Sequence, residues 1–419
     1  MKAVLRLAAL SAWSRRLTLG LTLVAIALAV TLLLAVERLR VDARQSFTQS
    51  VSGVDLVIGA RTGSVQLMLY AVFHAGAANN GIGWDSYRAI ASHPAVEWAL
   101  PLALGDSHRG FPVLGTSADY FRLFRHGDRE ALMFADGQPF AGMFEAVLGS
   151  EVARRLGYRS GDTITLNHGL AEFGPAHGDK PFRVAGILAP TGTPVDRTVH
   201  VSLEAISALH LDWIGGAPVP GLTIPAEHVA KFDLQPKQIT AALVGLKQRG
   251  DVFRMQRFVN QYRGEPLLAV LPGVALDELW QSIALMERTL LAVSALVVLV
   301  GLAGLAATLL AGLNERRREL AILRALGAGP GDMFLMLTAE GVLVTTAGAL
   351  LGLVLLTIGS SLAAPWLLDR LGVVLGTRWP GNEELALIGA VIATGLFASL
   401  IPGWRAWRMS LADGLTPKL

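Results

Sequence analysis

The chain contains no cysteine. A part of it exposed to an oxidising compartment therefore carries no disulfide, and thiolate catalysis and Cys-ligated metal centres are excluded. Charge is scarce as well: 16% of the 419 residues are Asp, Glu, Lys or Arg and 52% are hydrophobic, against roughly 25% charged in an average soluble domain. Part of the chain must be solvated by something other than water. The 36 basic residues balance 33 acidic ones, so no nucleic-acid partner is expected. No Gly-Lys dipeptide occurs, which rules out the Gly-x-x-x-x-Gly-Lys-Ser/Thr phosphate cradle. His-Glu-x-x-His and Gly-x-Ser-x-Gly are also absent, removing the commonest patterns of membrane metalloproteases and serine hydrolases.

Four charge-free runs are present: Leu17 to Val36, Thr289 to Gly312, Gly341 to Trp366 and Leu385 to Trp404. About 20 apolar residues suffice for a helix to cross a hydrocarbon core. The first run is too long for the apolar region of a signal peptide, and Glu37, Arg38 and Arg40 follow it where small residues would mark cleavage. The third is long enough to end in a re-entrant or interfacial piece before Asp369. Lys2, Arg6, Arg15 and Arg16 precede the first span, Arg316, Arg317, Arg318 and Arg324 lie between the second and third, and Arg405, Arg408 and Lys418 follow the fourth. Basic flanks belong on the cytoplasmic side, so both termini are expected on the cytoplasmic side of the membrane.

The expected fold class is an α-helical membrane protein with four transmembrane helices and an α+β extracytoplasmic domain inserted between the first and second. Its boundaries are 1–36 for the N-terminus and first span, 37–282 for the domain with helical stalks, 283–314, 333–366 and 385–404 for the later spans, 315–332 for a cytoplasmic segment, 367–384 for an external loop and 405–419 for a cytoplasmic tail. Gly304, Thr308 and Gly312 share a helix face beside Ala303, Ala307 and Ala311, and Gly348 and Gly352 are spaced in the same way; such faces allow close helix packing. No span carries a charge pair of the kind a proton relay needs.

Within 37–282, the runs 54–58, 96–104, 111–114, 163–166, 182–188, 198–201 and 242–246 read as strands. Ser150 is placed to cap a helix that Gly157 ends, and Ser202 to cap another reaching Leu209. Residues 37–49 and 276–287 continue the adjoining spans as helical stalks. All nine histidines fall in this domain. His168, Glu172, His177 and Asp179 crowd one Gly-rich loop, and imidazole with carboxylate suits zinc or copper if the side chains converge. The spacing matches no standard motif, so no metal ligand is assigned.

Between the second and third spans lies Glu315-Arg316-Arg317-Arg318-Glu319-Leu320-Ala321-Ile322-Leu323-Arg324-Ala325-Leu326-Gly327. As a helix it places Leu320, Leu323 and Gly327 on one face with Ile322 and Leu326 beside them, and most of the arginines elsewhere. Gly327 is the expected C-cap, and Asp332 the cap of the next span. Composition alone fits either a basic interfacial helix held by anionic lipid or a helix that docks a protein.

The run ERRRELAILRALGAGPGDMFLMLTAEGVLVTTAGALLGL at 315–353 resembles the signature of the MacB/FtsX-like permeases, the type VII ABC transporter family. Pro402, Arg405 and Ala406, followed by residues 412–415, are similar to its closing pattern. The stretches 147–166 and 182–203 resemble its periplasmic core domain. The resemblance implies a dimeric permease, with a second copy or a paralogue, that is not itself an enzyme and docks two copies of a separate cytoplasmic ATPase. ATP and Mg would be bound there and no cofactor by this chain. Glu315, Arg316, Arg317, Arg318, Glu319, Leu320, Leu323, Arg324 and Gly327 are the expected coupling contact, and Glu340 matches a recurrent acid of the third span. Some members carry further spans or a fused ATPase, which are not expected here. Export or extraction of a lipoprotein, peptide or hydrophobic compound is implied. The alternatives are a non-transporting mechanical signalling or scaffold subunit that regulates a periplasmic enzyme, and transition-metal handling.

Overall fold

The computed structural model describes residues 16–76, 80–169, 175–214, 217–219, 224–315, 317–325, 327–371 and 378–408. They form two compact units, one of residues Met1–Ala43 with Ala284–Leu419, the other of Arg44–Ile283.

The first unit is helical. Helices α1 (Arg16–Gln49), α2 (Pro272–Glu315), α4 (Pro330–Leu371) and α5 (Asn382–Arg408) are joined by the short α3 (Arg317–Ala325) between α2 and α4. The four long helices are each apolar and long enough to cross a membrane, and each contains one of the charge-free runs. The expected stalks belong to α1 and α2. The third run does not end in a re-entrant piece, because α4 continues as one helix to Leu371.

Val298, Leu302, Leu305 and Leu309 of α2, three or four residues apart, form one stripe. They pack with Ile26, Val30 and Leu34 of α1, Ala349 and Leu356 of α4, and Ile388 and Val391 of α5. Gly352 faces α1 so closely that a Cβ there would lie 2.7 Å from the Ala27 carbonyl oxygen, and Thr31 Oγ1 donates to the Gly352 carbonyl at 3.0 Å. Gly348 meets Ile26 of the same helix. Gly304 instead faces open space, Thr308 Oγ1 sits 3.3 Å from Thr22 Oγ1, and Gly312 is buried. A small-residue row that pattern reading missed lies on α5, where Gly395, Ser399 and Gly403 seat against Thr345, Gly341 and Thr338 of α4.

Just beyond the first charge-free run and just before the fourth, Arg38 and Glu384 form a bidentate ion pair at 3.1 and 2.9 Å, each side chain only 2% exposed. Arg378 lies 3.8 Å from Glu384 and 3.4 Å from Asp42.

The inserted unit is built on an eleven-stranded mixed sheet. Its strands are β1 (Leu56–Ala60), β2 (Val96–His108), β3 (Phe111–Thr116), β4 (Phe134–Gly137), β5 (Glu145–Leu148), β6 (Thr163–Ile164), β7 (Asn167–His168), β8 (Phe182–Leu188), β9 (Val199–Ser202), β10 (Ala241–Leu246) and β11 (Leu267–Val270). The order is β11-β1-β10-β2-β3-β9-β5-β8-β4, with β7 on β2 and β6 on β8. The long β2 serves two half-sheets. Its first part, Val96 to Leu102, pairs with β10, and its second, Ala103 to His108, pairs with β3 across a register shift at Gly105.

Both faces of β1 are buried, Leu56 and Ile58 in one core and Val57 in another, as the period of two requires. A third core holds Phe111, Val113, Ala146, Leu148, Val184 and Val201. All seven expected strand runs have counterparts, whereas β4, β7, β5 and β11 had no reading. The last two are four residues long with no apolar–polar alternation, so the period-2 signal is missing. Ser202 caps the helix Leu203–Leu209 as expected, its Oγ accepting from Ala205 N at 3.0 Å. Ser150 does not cap. It is the first residue of the helix Ser150–Leu156, Gly149 is the N-cap, and Gly157 closes the helix at φ +73°.

Candidate functional site

Two places gather functional side chains, one in each unit. The first is the junction of α2, α3 and α4. Leu320 is 5% exposed and packs with Leu313 of α2, Met333, Met336 and Leu337 of α4 and Ala406 of α5, with Leu323 against the same cluster. Ile322, by contrast, is 59% exposed. Two residues apart on a helix are about 200° apart, so Ile322 does not stand beside the leucines as read from sequence. It points the other way. Leu320 and Leu323 anchor α3 to its own unit, and the large apolar side chain of this segment facing out among the described residues is Ile322, Leu326 lying outside them.

Gly327 ends α3 at φ +102°, a left-handed conformation that favours glycine. Ala328 N donates to Leu323 O at 3.0 Å, the six-to-one bond of a Schellman end. Glu315 is exposed and Glu340 half-buried. Arg316 lies outside the described residues, as do the side chains of Arg317, Arg318 and Glu319. Asp332 caps α4 from inside the first turn, its Oδ2 accepting from Gly329 N at 2.8 Å, while Pro330 occupies the first helical position.

The second place is a histidine–aspartate cluster in the inserted unit. Antiparallel pairing of β7 with β2 sets His168 opposite Asp106. The chain returns so that His177 N donates to Leu166 O at 2.8 Å. His210 is the C-cap of the helix Leu203–Leu209. One ligand-type atom from each of Asp106, His168, His177 and His210 lies within 4.8 Å of the others. His168 Nδ1 is 3.1 Å from Asp106 Oδ1 and 2.9 Å from His210 Nε2, and His210 Nε2 is 3.5 Å from Asp106 Oδ1. Trp213 packs on His177 with ring centroids 4.2 Å apart.

Burial pushes the His177 imidazole down to about 4, so its ring is neutral near pH 7. Burial also works against a charged His210, but the hydrogen bond and charge of Asp106 and the Ile206 carbonyl outweigh it and raise its pKa. The Lys180 ammonium next to the cluster is fully buried and paired with Asp212 at 3.0 Å and Asp179 at 2.7 Å.

Of the four residues that sequence placed in one loop, the structure brings His168 and His177 together. Asp179 turns to Lys180, and Glu172 lies outside the described residues. Asp106 and His210 were missed, since 62 and 42 residues separate them from His168. The surviving signal was the presence of His210 just after a predicted helix.

The FtsX-like permease C-terminal family matches residues 291–411, and the MacB-like periplasmic core domain family matches residues 19–227. Over 356 residues the chain is 23% identical to the macrolide export ATP-binding/permease protein MacB of Bdellovibrio bacteriovorus, covering 80% of this chain and 50% of that protein. Over 339 residues it is 25% identical to the pyoverdine export ATP-binding/permease protein PvdT of Pseudomonas aeruginosa, covering 77% and 46%. The chain thus spans about half the length of the curated relatives it matches. Among solved structures, the periplasmic region of MacB from Actinobacillus actinomycetemcomitans aligns with 57% of this chain and 97% of its own at 11% identity, with a TM-score of 0.32. With the two family matches falling on the helical unit and the inserted domain in order, the chain belongs to the MacB/FtsX-like ABC transporter permeases.

Proposed function

We propose that the chain is the transmembrane subunit of an ABC transporter in the bacterial inner membrane. Helices α1, α2, α4 and α5 cross the bilayer with both termini in the cytoplasm, as their basic flanks favour. The inserted domain lies on the outer side. A separate ATPase carries ATP and Mg, and two permease copies, or this chain and a paralogue, work as a dimer. The cargo is a lipoprotein, peptide or hydrophobic compound; the relatives' names, which specify macrolide and pyoverdine export, favour the last.

The observation that carries this reading is the anchoring of α3. Its inner face is packed among the ends of α2, α4 and α5 while Ile322 faces out. A subunit that pushes on that outer face moves three long helices together, because a close-packed cluster transmits strain. The coupling surface is then Ile322 and Glu315 with the arginine-rich segment 316–318 and Arg324, and Leu320 and Leu323 hold it from behind.

Purification of the tagged chain from its native membrane tests the reading. An ATPase subunit should co-purify with the wild type and be lost from Ile322→Asp, while expression and insertion persist. Recovery of no ATPase with the wild type in mild detergent would sink the proposal. Leu320→Asp should instead damage the helical unit itself.

A further inference from the structure

We infer that Asp106, His168, His177 and His210 form a binding site for a divalent late transition-metal ion, with zinc as the expected occupant, in the inserted domain.

Proton bookkeeping motivates it. His210 Nδ1 lies 2.9 Å from the Ile206 carbonyl oxygen, which accepts only from an N–H. In the neutral ring, Nε2 therefore carries the lone pair, and it faces the cluster. Asp106 contributes another acceptor, 2% exposed. His168 Nδ1 faces both acceptors, and His210 Nε2 and Asp106 Oδ1 face each other at 3.5 Å, so the three atoms converge on a place for a shared cation. His177 adds a third unmet demand: it is 0% exposed, and neither ring nitrogen has a hydrogen-bond partner. Sealing such a group from water is costly unless something meets it. A metal ion meets these demands at once.

The donor set and its support suit that ion. Three imidazoles and a carboxylate are borderline ligands of the zinc class, and the set needs no thiolate. Bonds of about 2.0–2.1 Å in a tetrahedron put ligand atoms about 3.3 Å apart. The contacts at 2.9, 3.1 and 3.5 Å already bracket that separation, and none of the four atoms is more than 4.8 Å from another. The Ile206 carbonyl holds the His210 ring in the tautomer a ligand needs, as second-shell partners do. Trp213 covers the His177 ring. The positive Lys180 nearby is neutralised by Asp212 and Asp179. The ion would join β2, His168 and His177, and the end of the helix Leu203–Leu209.

The test uses the full chain in detergent, stripped with a chelator and desalted. Zinc titration should show about one ion bound per chain. Cobalt substituted for zinc should give the intense visible bands of a tetrahedral site. His177→Ala and His210→Ala should abolish both signals. Asp106→Asn, which keeps the shape, should weaken zinc by at least about 10-fold, the loss typical of even an outer-shell change. His228→Ala, at an exposed position elsewhere in the domain, should change nothing, and circular dichroism should confirm that each variant is folded. Zinc binding no tighter than millimolar overturns the proposal. So does tight binding that survives His177→Ala, His210→Ala and Asp106→Asn together, since other histidines would then hold the ion.

Discussion

Most described hydroxyls of the helical unit and several buried polar groups of the inserted domain find their partners at very different distances along the chain. In the helical unit, hydroxyls turn back on their own helix: Thr22 donates to Thr18 O, Thr31 to Ala27 O, Ser294 to Leu290 O, Thr308 to Gly304 O and Thr345 to Gly341 O, each four residues back. In the inserted domain the partners are remote. Asp55 accepts from Leu246 N, Glu265 from Gly83 N, Lys180 donates to Asp212, and His168 meets Asp106. Where lipid is the solvent, a helix must satisfy its polar groups internally and locally. A sheet domain in water is free to satisfy them through tertiary pairing. Damage should therefore spread differently in the two units.

The sharpest break should come from Lys180→Met, which leaves Asp212 buried without its cation. Loss of one partner of a buried pair costs about 3–5 kcal/mol, and urea unfolding of the inserted domain followed by tryptophan fluorescence measures it. Arg38→Met in the helical unit should cost less, because Arg378 remains 3.8 Å from Glu384. Equal losses would mean that the two pairs are equivalent after all.

Acid should separate the units next. His74 and His200 are buried and held neutral, burial pushing them down to about 4 and about 3. Each binds a proton in the unfolded chain near its ordinary pKa of about 6.5 but not in the folded one. Stability from these groups is thus complete above about pH 6.5 and is lost as pH falls toward 4, at up to about 1.4 kcal/mol per pH unit for each. All nine histidines lie outside the helical unit, so lowering the pH from about 6 to about 5 should weaken the inserted domain selectively. Thermal melts monitored in each unit would show this, and a pH-independent melt of the domain would refute it.

Gly352→Val should force α1 and α4 apart at a cost of about 1–3 kcal/mol, the usual range for overpacking. Gly304→Val, facing open space, should be tolerated in the same detergent-unfolding measurement. The smallest effect should be Ser202→Ala, about 1 kcal/mol from a lost helix cap, matched by a similar loss for Asp332→Ala in the helical unit.

This contrast in range also explains what could be read in advance. Hydropathy located all four long helices, and Gly327 and Ser202 announced themselves as caps, because each of those features is complete within a few neighbouring residues. Gly348 and Gly352 were recognisable as a packing face, but that they meet Ile26 and Ala27 was not. Ile322 stands about 200° from Leu320 on the helix, so its separation from the buried face was legible, but which of the two apolar faces the protein covers was not. The cluster around His177 was half visible. Two of its members share a loop, while Asp106 joins through strand register and His210 through the end of a helix, and neither relation has a local signature. The strands Glu145–Leu148 and Leu267–Val270 escaped for a related reason, as their identity comes from neighbours along the sheet.

The thirteen-residue strand Val96–His108 acts as a lap joint. One end is bonded to β10 and the other to β3, so this strand carries tension between the two half-sheets along one covalent backbone, beside the core they share. Hydrogen bonds that lie across a strand are loaded in shear by such a pull and yield together, whereas bonds at a peeled edge yield one at a time. The register shift at Gly105 marks where that strand passes from one half-sheet to the other and is the natural point of flexure along it. A flexure there would let this domain bend under load without unzipping.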